Sequence, residues 1–230
     1  MVWLVSEPEV DAGIIHLRRL RKGVKMARAV GKWEAERWEE GAFPIRWAAG
    51  KVMGVLGFSL MTALGAFVYL PLPFTPVPLT LQTFSVLLAG AFLGKGGGAL
   101  SQGTYILMAG LGLPIWAGGG SGLCRLWGPT GGYLLAFPLA AWVVGLVMEG
   151  EEQPHRARIL AAMVLGSCLI YFLGLFQLSL WNHWGLKKAL VLGVLPFCLG
   201  DLVKLIAASL VYQRFSHWGF GSHSGRRNGK

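Results

Sequence analysis

The sequence is poor in charge. Charged residues make up 14% of the 230 residues, against about 25% in an average soluble domain. Between Val52 and Met148 only Lys95 and Arg125 are charged, and Asp201 is the only acidic residue after Arg158. Hydrophobic residues make up 54% of the chain. This composition excludes a soluble globule and a disordered chain and predicts a membrane protein.

Motifs for several chemistries are also missing. Three cysteines without a CxxC pair exclude a disulfide framework and a typical zinc site. The nearest match to an ATP-binding phosphate loop, 90–96, is one residue short and lacks the Ser or Thr that holds magnesium. No HExxH or GxSxG motif occurs. We therefore predict that the chain is not an enzyme and needs no cofactor; a membrane enzyme acting on a lipid or a small anion is the alternative.

Apolar runs predict an all-α integral membrane protein with six transmembrane helices, since a span needs about 20 residues. The predicted spans run as follows: Trp47–Leu70, Leu79–Leu93, Ala99–Leu113, Tyr133–Met148, Ile159–Trp181 and Pro196–Tyr212. A Gly-rich outer loop, 114–132, joins the third and fourth helices, and 187–195 forms a short outer segment. The predicted divisions are a charged N-terminal extension, 1–46, a membrane domain, 47–215, and a polar basic tail, 216–230.

The net charge is +10, and the distribution of the basic residues predicts the orientation. Cytoplasmic loops of membrane proteins are enriched in Lys and Arg. Six spans put both termini on one side, and most basic residues then fall on that side. Both termini are therefore predicted to be cytoplasmic, in the inner membrane, and nucleic-acid binding is not expected. Four tryptophans are predicted near the outer interface: Trp116, Trp127, Trp181 and Trp184.

Small residues line one face of the first span. They follow each other at steps of three to five residues: Gly50, Gly54, Ser59, Ala63 and Ala66. Such a face lets helices approach closely where lipid supplies no hydrophobic drive. Packing within this chain is one interpretation, and docking onto a partner membrane helix is the other. Under the second, we expect bulky residues at Ala63 or Ala66 to reduce transport without changing ligand binding.

Three charges lie where charge is costly. Asp201 and Lys204 share one face of the sixth span, at positions i and i+3. Intramembrane charges usually mark a functional site, although a structural ion pair is the alternative. Arg125 lies in the Gly-rich loop, where it can hold a carboxylate or contact a lipid phosphate. Together they predict an outward pocket for a small anionic solute that also carries N–H donors.

Four motifs give the sequence a family resemblance. They occur in this order: Phe74-Thr-Pro-Val-Pro-Leu-Thr-Leu-Gln-Thr83, Leu111-Gly-Leu-Pro114 with the Gly-rich stretch 116–122, Gly128-Pro-Thr-Gly-Gly-Tyr133, and Pro196-Phe-Cys-Leu-Gly-Asp-Leu-Val-Lys204. The chain thus resembles the BioY biotin-transporter family over about residues 47–215. The resemblance implies the biotin-binding S component of an energy-coupling-factor transporter. It also implies three partner chains, a transmembrane coupling protein and two ATPase subunits, with ATP bound only by the latter.

The resemblance also suggests roles in binding biotin. Asp201 would accept from the ureido N–H groups, and Arg125 or Lys204 would hold the carboxylate. Trp116 would stack on the bicyclic ring, or else anchor the chain at the interface. Gln82 would close the pocket, or else make a structural hydrogen bond. A carrier of another small carboxylate vitamin and a small solute channel are alternative functions.

Overall fold

The computed structural model describes residues 49–151 and 154–216. The predicted extension, 1–46, and all but the first residue of the predicted tail, 216–230, lie outside these residues. The described chain is helical apart from two short strands. In order, the elements are α1 (Ala49–Phe67), β1 (Tyr69–Leu70), β2 (Leu79–Thr80), α2 (Gln82–Gly110), a 3-10 helix (Leu123–Trp127), α3 (Gly131–Met148), α4 (Arg156–Asn182), α5 (Leu186–Gly193) and α6 (Leu195–Phe215).

Five of the described helices are long and apolar enough to cross a membrane: α1, α2, α3, α4 and α6. The all-helical membrane architecture predicted from the apolar runs is confirmed at this level. The helices begin and end within a few residues of the predicted boundaries, except that α2 covers two predicted spans. The eight-residue α5 corresponds to the predicted outer segment.

The long helix α2 reverses direction at Gly94. This residue has φ 70° and ψ −179°, a conformation that is essentially restricted to glycine. Gln82 donates a hydrogen bond of 2.6 Å to the Tyr105 hydroxyl, although the two residues would stand about 35 Å apart in a straight helix. A Cβ atom on Gly98 would lie 2.8 Å from Gly90 Cα. The segments 82–93 and 95–110 are therefore two antiparallel arms.

From Gly54 onward the small face of α1 packs within the chain, mainly against α2, whereas Gly50 is exposed. Ser59 Oγ donates to Ser101 O at 2.6 Å, and Thr62 Oγ1 donates to Gln102 Oε1 at 3.1 Å. Ala63 is 4% exposed and Ala66 is fully buried. Packing within the chain is thus the correct interpretation of this face. The expectation that Ala63 and Ala66 meet a partner helix is wrong, because these side chains are already covered.

Glycine and alanine also set the spacing of α2, α3 and α4. A Cβ atom on Gly90 would come within 3.0 Å of Ala141 Cα, and one on Gly166 would lie 2.7 Å from Val144. Ala140 is fully buried at the centre of the bundle. Such close approach supplies dispersion contacts that hold helices together where the surroundings are as apolar as the side chains.

The opposite ends of the bundle differ in chemistry. At the end with the α2 turn, Lys95 forms an ion pair of 2.8 Å with Glu149. Arg158 donates to Val147 O at 2.6 Å and to Glu149 O at 2.8 Å, which ties α4 to the end of α3. At the other end, β1 pairs antiparallel with β2 and closes the proline-containing segment between them. This second end carries the cavity.

Candidate binding site

A cavity of about 640 Å³, counted to its open mouth, lies at the end of the bundle where α2, α3 and α6 begin. Its walls come from the segment 77–80, the Gly-rich loop and four helices. All five residues singled out in the sequence line it: Gln82, Trp116, Arg125, Asp201 and Lys204. The fold thus brings together residues that are up to 122 positions apart in the chain.

The Asp201 carboxylate forms the acidic end of the cavity. Its Oδ1 accepts from Lys204 Nζ at 2.5 Å and from Thr83 Oγ1 at 3.3 Å. Its Oδ2 accepts from the Tyr171 hydroxyl. Since a carboxylate offers about four acceptor positions, roughly one is left for a ligand donor. Asp201 is therefore held in one orientation while it keeps some capacity to bind.

Lys204 is held in place by its ion pair with Asp201. Its side chain is 12% exposed and that of Asp201 is 15% exposed. Lys204 Nζ also lies 3.4 Å from Thr83 Oγ1. The ion pair that the sequence left as an alternative is present, and both of its members line the cavity. Because the pair is neutral as a whole, the formal charge of the cavity comes from elsewhere.

Arg125 supplies that charge. It lies in the 3-10 helix of the Gly-rich loop. Among the described residues, its guanidinium donates one hydrogen bond, to Ala117 O at 3.2 Å. A guanidinium carries five N–H donors in a planar fork that matches a carboxylate. Arg125 therefore retains donors for an anionic ligand, whereas the ammonium of Lys204 is paired.

Trp116 is fully buried. Its indole N–H donates to Gly122 O at 3.0 Å, and its ring meets Tyr105 edge-on, with the centroids 5.4 Å apart. The interpretation of Trp116 as an interface anchor is wrong, because the loop folds back over it. Trp127 and Trp181, in contrast, are 70% and 54% exposed. A buried indole that still lines the cavity offers an apolar wall for a flat ring.

Gln82 takes part in a buried polar network. It is 2% exposed, and the Tyr105 hydroxyl that accepts from it donates in turn to Ile115 O at 3.0 Å. Thr80 Oγ1 donates to Gln82 Oε1 at 3.3 Å. This network joins α2 to the residue before Trp116. The geometry therefore shows the alternative role of Gln82, a structural hydrogen bond.

Sequence reasoning gave no role to three residues that line the cavity. Thr83 and Tyr171 contact Asp201, and Tyr133 donates to Gly193 O at 2.9 Å. The Tyr171 hydroxyl does not stand out in the sequence, because the predicted span around it, 159–181, also contains Ser167, Gln177 and Ser179. The hydroxyl gains meaning only once Asp201, thirty positions later, is known to face it.

The site contains no evident catalytic or metal chemistry. Within residues 49–151 and 154–216, no group of three His, Cys, Asp or Glu side chains is placed to hold a metal ion. The cavity combines mainly apolar walls with one acceptor end and one cationic group. This arrangement fits a small anion that carries N–H donors.

Comparison with known proteins gives concordant matches. The family model described as "BioY family" matches residues 38–219. The "Biotin transporter BioY" of Thermotoga maritima is 43% identical over 157 residues, which cover 68% of this chain and 90% of that protein. The "Probable biotin transporter BioY" of Pyrococcus horikoshii is 39% identical over 166 residues, covering 72% of this chain and 96% of that protein.

A solved structure has a similar fold. It is a crystal structure of the S-component for biotin from an ECF-type ABC transporter. The match has a TM-score of 0.69 and 26% sequence identity, and it covers 75% of this chain and 93% of that one.

Proposed function

Because this chain belongs to the BioY family, we propose that it is a membrane protein that binds biotin and mediates its uptake. The observation that carries the proposal is a cavity with an oriented carboxylate, Asp201, and an available guanidinium, Arg125. The family is one of transporter subunits rather than enzymes. This agrees with the absence of a nucleophile–base motif from the sequence.

The two ends of biotin match these two groups. Its ureido ring presents N–H donors, and its side chain ends in a carboxylate. Asp201 accepts from a ureido N–H group, since hydrogen bonds to a charged acceptor are stronger than neutral ones. Arg125 holds the carboxylate in preference to Lys204, because Lys204 is already paired with Asp201 at 2.5 Å. Trp116 forms a wall against the bicyclic ring.

Energy for transport comes from partner chains in this proposal. The sequence has no complete phosphate loop, so the chain does not hydrolyse ATP by that route. Its expected partners are a transmembrane coupling protein and two ATPase subunits. The cofactor expectation is unchanged: biotin is the cargo, and ATP binds only to the partners.

The arms of α2 support six membrane crossings. If each arm crosses once, the chain crosses six times and both termini lie on the same side of the membrane. The positive-inside rule makes that side the cytoplasm, so the cavity opens to the outside of the inner membrane. Lys95 and Arg158 then face the cytoplasm, together with most basic residues, while the Gly-rich loop that carries Arg125 is external.

A binding assay on the purified full chain tests the proposal. We expect biotin to quench tryptophan fluorescence in the absence of ATP, because Trp116 lines the cavity. Octanoate, which has a carboxylate but no ureido group, should bind far more weakly. Equal binding of both ligands would favour a carrier of another carboxylate. Passive flux of biotin through liposomes that contain the chain alone would favour a channel.

A further inference from the structure

Gln177 connects α4 to the Gly-rich loop. Its amide Nε2 donates to Leu126 O at 2.7 Å and to Gly128 O at 2.8 Å. A side-chain amide has two N–H donors, so both are used on loop carbonyls. Of the α4 side chains in the described structure, only Gln177 makes a hydrogen bond to this loop.

The two carbonyls belong to the stretch of backbone that immediately follows Arg125. Leu126 is the next residue in the chain, and the Gly128 N–H donates to Arg125 O at 3.2 Å. A Cβ atom on Gly131 would lie 2.5 Å from Gln177 Nε2, so the glycine leaves room for the amide. Gln177 therefore fixes the backbone from which the Arg125 side chain extends.

The same helix also supports the opposite end of the cavity. Tyr171 donates to Asp201 Oδ2. Tyr171 and Gln177 are six residues apart, which is about 9 Å along a helix. One rigid element thus holds the acceptor end through one side chain and the cationic end through another.

We propose that Gln177 is a positioning residue that sets the distance between Arg125 and Asp201, and thereby the length of ligand that the site accepts. The proposal rests on the proposed function, in which these two residues bind opposite ends of biotin. A residue that only packs the bundle would affect all ligands alike. A residue that positions Arg125 affects the binding of ligands with a free carboxylate more than the binding of ligands without one.

The test is a comparison of ligands on the purified full chain with Gln177→Met, which keeps the side-chain length and removes both donors. We expect biotin to bind about tenfold more weakly, as when one charge-assisted hydrogen bond is impaired. Biotin methyl ester should stay within about twofold. The preference for biotin over homologues with a side chain one methylene shorter or longer should shrink, because the released loop adapts to each length.

Two further variants make the comparison specific. Within the described part of the chain, Asn182 donates only to Leu178 O of its own helix. Asn182→Leu therefore removes an α4 amide without touching the loop and should leave both affinities unchanged. In an Arg125→Ala background, Gln177→Met should cause no additional loss. If Gln177→Met does not fold, Gln177→Leu, which also lacks the amide donors and adds no charge, should give the same contrast between biotin and its ester.

Equal losses for biotin and ester, an unchanged biotin affinity, or an additive effect with Arg125→Ala would each overturn the inference. Failure of the unaltered chain to bind biotin would instead refute the proposed function. Weakening of biotin and ester alike by Arg125→Ala would refute the inference and leave biotin binding itself standing.

Discussion

Replacement of Asp201 by Asn tests the acceptor end of the site most directly. The change keeps the shape of the side chain and removes its charge. The amide oxygen still accepts from Lys204. The Tyr171 hydroxyl, which donates to Asp201 Oδ2 in the unaltered chain, can rotate to accept from the new amide N–H₂ instead. We therefore expect the variant to fold. The ureido N–H groups, however, meet an N–H₂ donor in place of a second carboxylate oxygen.

The expected loss follows from the type of bond removed. A hydrogen bond to a charged group contributes about 1.5–3 kcal/mol, so the affinity for biotin should fall by about tenfold to a hundredfold. Biotin methyl ester should lose affinity by the same factor, because it shares the ureido ring. Isothermal titration of the purified chain with each ligand, together with its melting temperature, measures both effects.

A double variant separates binding from stability. Loss of one member of a buried ion pair leaves the other without compensation, whereas replacing both by neutral groups is often tolerated. In Asp201→Asn with Lys204→Met, the melting temperature should recover while biotin binding stays weak. An Asp201→Asn protein that binds biotin with unchanged affinity would remove Asp201 from the site. Recovery of binding in the double variant would reduce the pair to a structural role.

Three further changes test the fold. Gly94→Ala should destabilise the chain by about 1–3 kcal/mol, because the backbone conformation there is open only to glycine. No neighbouring atom would contact the new Cβ, so the cost comes from the backbone and not from a clash. Gly103→Ala, in the second arm and equally unobstructed, is the control and should leave thermal unfolding unchanged or raise its midpoint. Ala66→Leu should lower stability by about 1–3 kcal/mol through overpacking, since Ala66 is fully buried; unaltered melting together with lost uptake would restore the docking interpretation. Protease-sensitive tags at residues 1 and 230 should both be protected in intact cells, and cleavage of either tag from outside would refute the proposed topology.

The sequence was most informative where one residue type has one physical reason to occur. A charged pair in an apolar span, Asp201 and Lys204, has few structural uses, and the gap between the predicted spans 79–93 and 99–113 marks the place where the structure reverses direction. Both led to features that the structure contains. Length and hydropathy were likewise enough to place the ends of most helices.

Prediction was weakest where a residue has several common roles. A tryptophan in a Gly-rich loop suits an interface as well as a core, and only the path of the loop buries Trp116. Small residues on α1 suit an internal or an external neighbour equally. Tyr171 and Gln177 carry no signal of their own, because their importance depends on partners 30 and about 50 positions away in the chain.

The pairing of Lys204 with Asp201 also determines which ions the cavity attracts. A lone carboxylate in an apolar pocket would draw sodium or potassium from the medium, and a bound metal ion would compete with a ligand's N–H donors. The ammonium at 2.5 Å cancels that long-range field, so Asp201 keeps the short-range directionality of a hydrogen-bond acceptor without acting as a cation site. Among the residues that line the cavity, the remaining net charge is then that of Arg125. An approaching anion is drawn in by one net positive charge and is recognised by a negative one only on contact.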